Sequence, residues 1–289
     1  MVNLDEMVRG SIDMHVHFGP DPNLPRRFDA METVLNAQEM GLRAIVLKSH
    51  DYATAPLAHI ISRVATQIKI FGGVTLDFEF GGLNPYAVES SAKLGAKVLW
   101  MPTLSSANSR AKIGRLFGIT LKGEGISILD AKGELLAQVK DILDIAKNYD
   151  MVIASGHISP IETFRLVDFA QQIGISKILI SHVMADDALE ESLSLADQQR
   201  LAAKNVYMEH CLVMLMPVDG RVDPKEVVKA IRHIGAEHCI ISSDLGLSYY
   251  CSPAEGMRMF MGILLRAGLS EKEIELMAKV NPARLLSLT

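Results

Sequence analysis

Residues 11–23 read SIDMHVHFGPDPN. The first seven form a short extended segment, and Phe18-Gly19-Pro20-Asp21-Pro22 turns the chain at once. Side chains on a strand alternate between its faces, so His15 and His17 point the same way. Two neighbouring imidazoles at a strand end are the start of a divalent-metal site. Alone the pair is a weak signal, because two surface histidines near a terminus read identically. The turn that follows separates two folds. A doubly wound open sheet places a glycine-rich phosphate loop after its first strand, and HFGPDPN is not one.

The rest of the chain repeats this strand-then-turn pattern. Short β-branched or apolar runs occur at 11–17, 43–50, 68–76, 96–103, 151–157, 177–183, 205–211 and 238–244. Longer amphipathic stretches lie between them, over 29–40, 54–66, 84–94, 133–148, 160–173, 187–204, 224–234 and 253–267, with a further helical stretch over 270–280. Ser159-Pro160, Asp223-Pro224 and Ser252-Pro253 each place Pro at a first helical position. Gly41, Gly95, Gly174 and Gly235 stand where helices stop. Eight βα units in succession predict an α/β chain folded as a (β/α)₈ TIM barrel, a single domain over 1–289. Residues 103–132, between the fourth strand and the fourth helix, make a loop about twice the usual length. Its ITLKGEGISIL portion reads as a hairpin turning at 122–125, and its origin at a strand's C-terminal end makes it a candidate lid.

Composition narrows the functions. Nearly half of the 289 residues are apolar, ample for a buried core. The formal charge of −5, from 29 basic and 34 acidic residues, argues against a nucleic-acid surface. No apolar stretch approaches the roughly 20 residues of a membrane span, and the opening MVNLDEMVRG lacks the apolar core of a secretory signal. Cys211, Cys239 and Cys251 are odd in number and without C-x-x-C spacing, which points to a reducing cytoplasm. A homo-oligomer is compatible with the sequence.

Of nine histidines, six fall at C-terminal ends of predicted strands: His15, His17, His50, His157, His182 and His210. Asp244 joins them at the end of the eighth. His59, His233 and His238 do not and are read as roleless. A barrel enzyme builds its site at that end of its strands. Any one such histidine is readily a structural residue. Six together with a carboxylate and Lys48 are costly to bury unpaired, and a metal removes that cost.

The ligand order (H-x-H after the first strand, His after the fifth and sixth, Asp after the eighth) resembles the amidohydrolase superfamily, over most of the chain. The resemblance implies His15, His17, His157 and Asp244 as metal ligands, with His182 binding a second metal or the substrate. It implies also that Asp244 accepts a proton from the attacking water. IDMHVHFGPD, VLKSH and GGLNP look like an uncharacterised amidohydrolase-related branch. One departure concerns metal count. Two-metal members bridge their ions with a carbamylated lysine or a glutamate at the fourth strand's end, where this chain has Leu99-Trp100-Met101-Pro102. One ion, most simply Zn²⁺, is the expectation, and a second would require the bridge to move to Lys48.

Lys48 shares a face with His50 and has three readings: a carbamylated ligand, an electrostatic clamp for an anion, or a Schiff-base nucleophile. The clamp is favoured over the bland alternative of a lysine snorkelling to solvent. Arg26 and Arg27 add positive charge or are merely solvated. Glu209 and His210 are neighbours, so only one faces the mouth. Trp100 walls the pocket or belongs to the core. The resulting expectation is a metal-dependent hydrolase using a metal-activated water on a small-molecule ester, lactone, amide or phosphoester, an anionic one included, with Asp244, His182 and Lys48 catalytic and His50, Glu209, His210, Arg26 and Trp100 contacting substrate. Its rival is a metal-assisted decarboxylase or Schiff-base lyase on the same barrel. A non-enzymatic metal-binding protein is the third reading.

Overall fold

A computed structural model describes residues 3–121, 123–185, 190–218 and 221–288. The β-branched runs form eight strands: β1 (Ile12–His17), β2 (Ala44–Lys48), β3 (Lys69–Thr75), β4 (Ala96–Trp100), β5 (Val152–Ala154), β6 (Ile178–Ile180), β7 (Tyr207–Cys211) and β8 (Cys239–Ser242). All neighbours pair in parallel in the order β1 to β8. A bridge between Val16 and Leu245, just past β8, brings the two ends of the sheet together. The result is the expected (β/α)₈ barrel.

Outside the sheet lie α1 (Leu4–Val8), α2 (Ala30–Glu39), α3 (Ala55–Ile61), α4 (Pro85–Lys93), α5 (Arg110–Phe117) and α6 (Ala137–Asn148). They are followed by α7 (Pro160–Gln172), α8 (Leu195–Ala202), α9 (Pro224–Ile234), α10 (Pro253–Ala267), α11 (Glu271–Glu275) and α12 (Asn281–Leu285). The Pro-started helices begin where the sequence places them. Ser159 and Ser252 accept from Glu162 and Glu255 backbone N–H groups, and Asp223 from that of Lys225. Each such cap contributes about 1 kcal/mol. Helix α8 is shorter than the stretch 187–204, because Ser194 caps it through Asp197 N–H; 187–189 lie outside the described residues.

Two apolar layers hold the barrel. Ile12, Met14, Val46, Val98, Trp100 and Ile240 fill the interior, joined by Leu285 and Leu286 from the C-terminal segment. The larger layer packs strands such as β7, through Met208, against the surrounding helices. Among the described residues no helix is long and apolar enough to cross a membrane.

The insertion departs from its expected form. It contains α5, and the hairpin over ITLKGEGISIL is not formed among the described residues, its turn residue 122 lying outside them. Ile126 instead pairs back with the start of the insertion, donating to Ser105 O and accepting from Ala107 N–H. That pairing uses the backbone groups a hairpin needs. Leu104, Ile113 and Phe117 of the insertion line the cavity at the barrel mouth.

Candidate metal centre

On β1 the pairing with β2 slips between Asp13 and Val16. Ile12 and Met14 pack into the barrel interior, and beyond the slip Val16 turns to the helix layer. His15 and His17 therefore face inward together, as a bulge that re-aims side chains allows. Asp244 reaches them from the other edge of the sheet. Its N–H donates to His15 O, and His17 N–H donates to Leu245 O, both at 2.9 Å. Gly246 is required here, because a Cβ would lie 2.5 Å from His17 O.

Asp244 Oδ1 stands 3.1 Å from His15 Nε2 and 3.2 Å from His17 Nε2. His15 Nδ1 lies 3.2 Å from Oε2 of Glu209, which is fully buried. Lys48 Nζ donates to His15 Nε2 from 2.9 Å, so Nδ1 carries the proton towards Glu209, whose pKa burial raises, and the Nε2 lone pair lies between Lys48 and Asp244. Burial pushes His15 and His17 well below the ordinary imidazole range, leaving both neutral. Two neutral imidazoles and a carboxylate aimed at one another are mutually unfavourable without a cation. They are good ligands with one.

A second group sits beside the first. His157 follows β5 through Gly156, where a Cβ would strike Met101 O at 2.3 Å and φ is +58°. Its ring centroid is 4.4 Å from that of His182, which follows β6. Nδ1 of His157 and of His182 lie 3.4 and 3.2 Å from the Glu190 carboxylate. Yet His157 Nδ1, both His182 nitrogens and Glu190 Oε2 are buried without a hydrogen bond. The ion pairs offset part of this for the atoms they join, but His182 Nε2 has no partner, which costs roughly 1–3 kcal/mol that a cation would recover. Burial also pushes His157 well below its usual range; for His182 burial lowers the value, but the Glu190 carboxylate outweighs it and the net shift is upward. His182 and Asp244 have φ of +27° and +52°, a left-handed strain uncommon outside glycine and concentrated at functional sites.

The donors thus form two trios, His15/His17/Asp244 and His157/His182/Glu190, each with ligand atoms within 4.8 Å of one another. The four residues expected around one ion thus fall in both trios, His157 grouping with His182 and Glu190. A third combination, His15/Glu209/Cys211, has its thiol pushed well up by burial and held protonated.

The other sequence-predicted residues sort as follows. Lys48 is 2% exposed, with Nζ 2.9 Å from His15 Nε2 and 5.5 Å from the Trp100 ring. Burial lowers its pKa. His50 lines the cavity and stacks on His17 at 4.9 Å. Arg26 also lines it, but its guanidinium is bound by Asp21 at 2.6 and 2.9 Å, so its charge is spent locally. Trp100 does not line the cavity; it lies beneath His15, ring centroids 5.9 Å apart, as part of the interior core. Glu209 contacts His15 and is sealed from the cavity. His210, its neighbour, takes the opposite face of β7 and is buried away from the mouth with both ring nitrogens unpartnered. Glu209, Trp100 and His210, expected to contact substrate, are thus not among the residues that line the cavity.

Two residues escaped the sequence reading. Asp77 lies two residues past β3 and is fully buried against His50; its place just beyond a strand end is the same signal that singled out the histidines. Glu190 lies in the loop after β6, within a stretch read as helix, where strand-end logic gives no signal.

Residues 10–209 match the model of a family described as a family of unknown function, DUF6282. The chain belongs to that family. No curated protein matches this DUF6282 chain in sequence. Its fold is shared with solved structures at low identity. An amidohydrolase from Pseudomonas aeruginosa superposes with a TM-score of 0.64 at 12% identity, covering 99% of this chain and 98% of its own. A lactonase from Listeria monocytogenes gives 0.60 at 15%, covering 99% and 96%. A 2,6-dihydroxybenzoate decarboxylase from Rhizobium gives 0.56 at 11%, covering 97% and 99%. The chain shares its barrel fold with these structures.

Proposed function

We propose that the chain is a metal-dependent hydrolase acting on a small-molecule ester, lactone, amide or phosphoester. The observation that carries this reading is the convergence of two buried donor trios on one cavity at the C-terminal mouth of the barrel. The nitrogen and oxygen donor set suits zinc, and two trios favour two ions over one. Divalent ions held there would supply water of lowered pKa and polarise the scissile carbonyl or phosphoryl group.

The chain's own residues do the rest. Asp244 turns Oδ1 to the imidazoles, leaving Oδ2 to take the proton that the attacking water loses and return it to the leaving group. Lys48 forms no ion pair with a carboxylate among the described residues and rests on His15 Nε2; an ion taking that lone pair would free its ammonium as a clamp for charge developing on a substrate oxygen or for an anionic substituent. His182 lines the same cavity. Leu104, Ile113, Phe117 and Leu247 make the opposing wall apolar and keep water out. The three cysteines are free, two of them buried, in keeping with a reducing cytoplasm.

A lyase is the second reading, favoured by the fold shared with the decarboxylase and by a buried lysine of lowered pKa. One experiment addresses both. Zinc-reconstituted protein is assayed on small esters, lactones, amides and phosphoesters, and on hydroxybenzoates with CO₂ detection. Chelator-sensitive hydrolysis supports the proposal. CO₂ release without hydrolysis, or borohydride trapping of a carbonyl compound on Lys48, overturns it.

A further inference from the structure

His50 reaches the cavity from the end of β2, and the partners behind it are unusually complete. Its Nδ1 lies 2.7 Å from Thr103 Oγ1 and 3.1 Å from Asp77 Oδ2. Asp77 accepts, through Oδ1, the backbone N–H groups of Thr103 and Ser105, each at 2.8 Å. The Thr103 hydroxyl donates to Asp77 Oδ2. With two backbone N–H donors on Oδ1 and a hydroxyl donor on Oδ2, Asp77 is held as the carboxylate and is an acceptor only.

Counting protons then fixes the imidazole. A hydroxyl has one proton, and that of Thr103 is committed to Asp77. Neither neighbour has a proton left for His50 Nδ1, so Nδ1 must be the donor. In the neutral ring, Nε2 is left as a bare lone pair. Nε2 makes no hydrogen bond with a described residue and is not among the buried stranded atoms, so it borders the cavity that His50 lines. Stacking on His17, with 20° between the rings, fixes the remaining orientation.

We propose that Asp77 and Thr103 are positioning residues that hold His50 as the Nδ1–H tautomer, so that its Nε2 selects ligands bearing an O–H or N–H donor at that end of the cavity. The proposal deepens the hydrolase reading and rests on it only in taking this cavity as the substrate site. It adds a specificity rule that the metal trios do not contain: next to Lys48, which favours an acceptor or anion, stands a group that demands a donor. A substrate carrying both within one small molecule, such as a hydroxylated ester or lactone, satisfies the pair. It also gives the insertion a task, since Thr103 and Ser105 are its first residues and are tied to Asp77.

The test reads the tautomer directly. In ¹⁵N-labelled protein at neutral pH, His50 is expected to show a protonated Nδ1 and an unprotonated Nε2. Thr103→Ser should preserve this state. Asp77→Asn, whose amide can donate to Nδ1, should mix or invert it while the backbone spectrum stays folded. Titration with benzyl alcohol and with benzyl methyl ether then probes selection. The alcohol should bind about 2- to 10-fold more tightly, the value of one net hydrogen bond, and should move the Nε2 resonance. His50→Phe should abolish the preference. A protonated or mixed Nε2 in the wild type overturns the proposal, as does equal affinity for the two probes, undetectable binding of both included. Because neither arm measures hydrolysis, an inactive protein that passes them refutes only the hydrolase reading, and an active hydrolase that fails them refutes only this one.

Discussion

Glu209 Oε2 lies 3.2 Å from His15 Nδ1, on the far side of the ring from the Nε2 atom that meets Asp244 and Lys48. Such a carboxylate holds the tautomer and raises the ligand's basicity. Glu209→Gln should therefore weaken metal binding about 10- to 100-fold. Competition with a chromophoric chelator measures this. Unchanged affinity with retained folding would show that Glu209 is only a buried acid.

The two trios predict a stoichiometry. Fully loaded wild type should hold two zinc ions per chain by elemental analysis, and His15→Ala/His17→Ala or His157→Ala/His182→Ala about one each. A wild-type ratio of one that either double variant reduces to zero would return the protein to a single shared site.

Asp244→Asn keeps the shape and most of the coordination of the carboxylate but loses its basicity. Metal content should stay near wild type while kcat falls about 10²- to 10⁴-fold, the usual value of general acid–base catalysis. Near wild-type turnover in a fully loaded variant would refute the proton-transfer role.

Lys48→Ala should impair turnover more than folding. Nζ faces the cavity beside His15, and the variant removes a buried cation along with the stem's packing on Trp100. Kinetics and thermal melts of the loaded variant decide between the roles. A large drop in Tm with activity intact marks the lysine as structural.

His210 gives the protein an acid limb independent of catalysis. Burial pushes its pKa down to about 4, against the ordinary imidazole value of 6.5. The folded state thus resists a proton that the unfolded state accepts, so stability is whole above pH 6.5 and declines as pH falls from there toward 4. The total is on the order of 3 kcal/mol. Melts of metal-free protein between pH 7.5 and 4.5 should show a shallower decline for His210→Leu. Parallel curves would place the acid sensitivity elsewhere.

The barrel was legible because each strand and helix carries its own local signal, and strand-end position alone picked out His15, His17, His50, His157, His182 and Asp244, which do meet. What escaped depends on contacts far apart in sequence. Which of Glu209 and His210 faces inward is a matter of strand phase set by neighbours. Whether His157 joins β1 or His182 depends on how a barrel of short strands closes. Trp100 sits one layer too deep for the pocket, a depth that sequence does not encode. The hairpin over 119–129 had suitable turn residues, but Ile126 found backbone partners at 105 and 107 instead.

The slip in β1 has a consequence for how this site can be altered or moved. Below it, the even positions 12 and 14 supply the aliphatic floor; above it, the odd positions 15 and 17 supply the imidazoles. One short strand thus runs two alternation programmes joined by a dislocation of a single residue. Point substitutions leave that dislocation in place, whereas deleting residue 14 or 15 would restore plain alternation and cost the strand either Met14 of the floor or His15 of the ligands. Grafting D-x-H-x-H onto a regular strand of another barrel would turn the position of Asp13 inward with the imidazoles and send the floor positions 12 and 14 to the helix side. The unit to transplant is the phase shift together with the histidines.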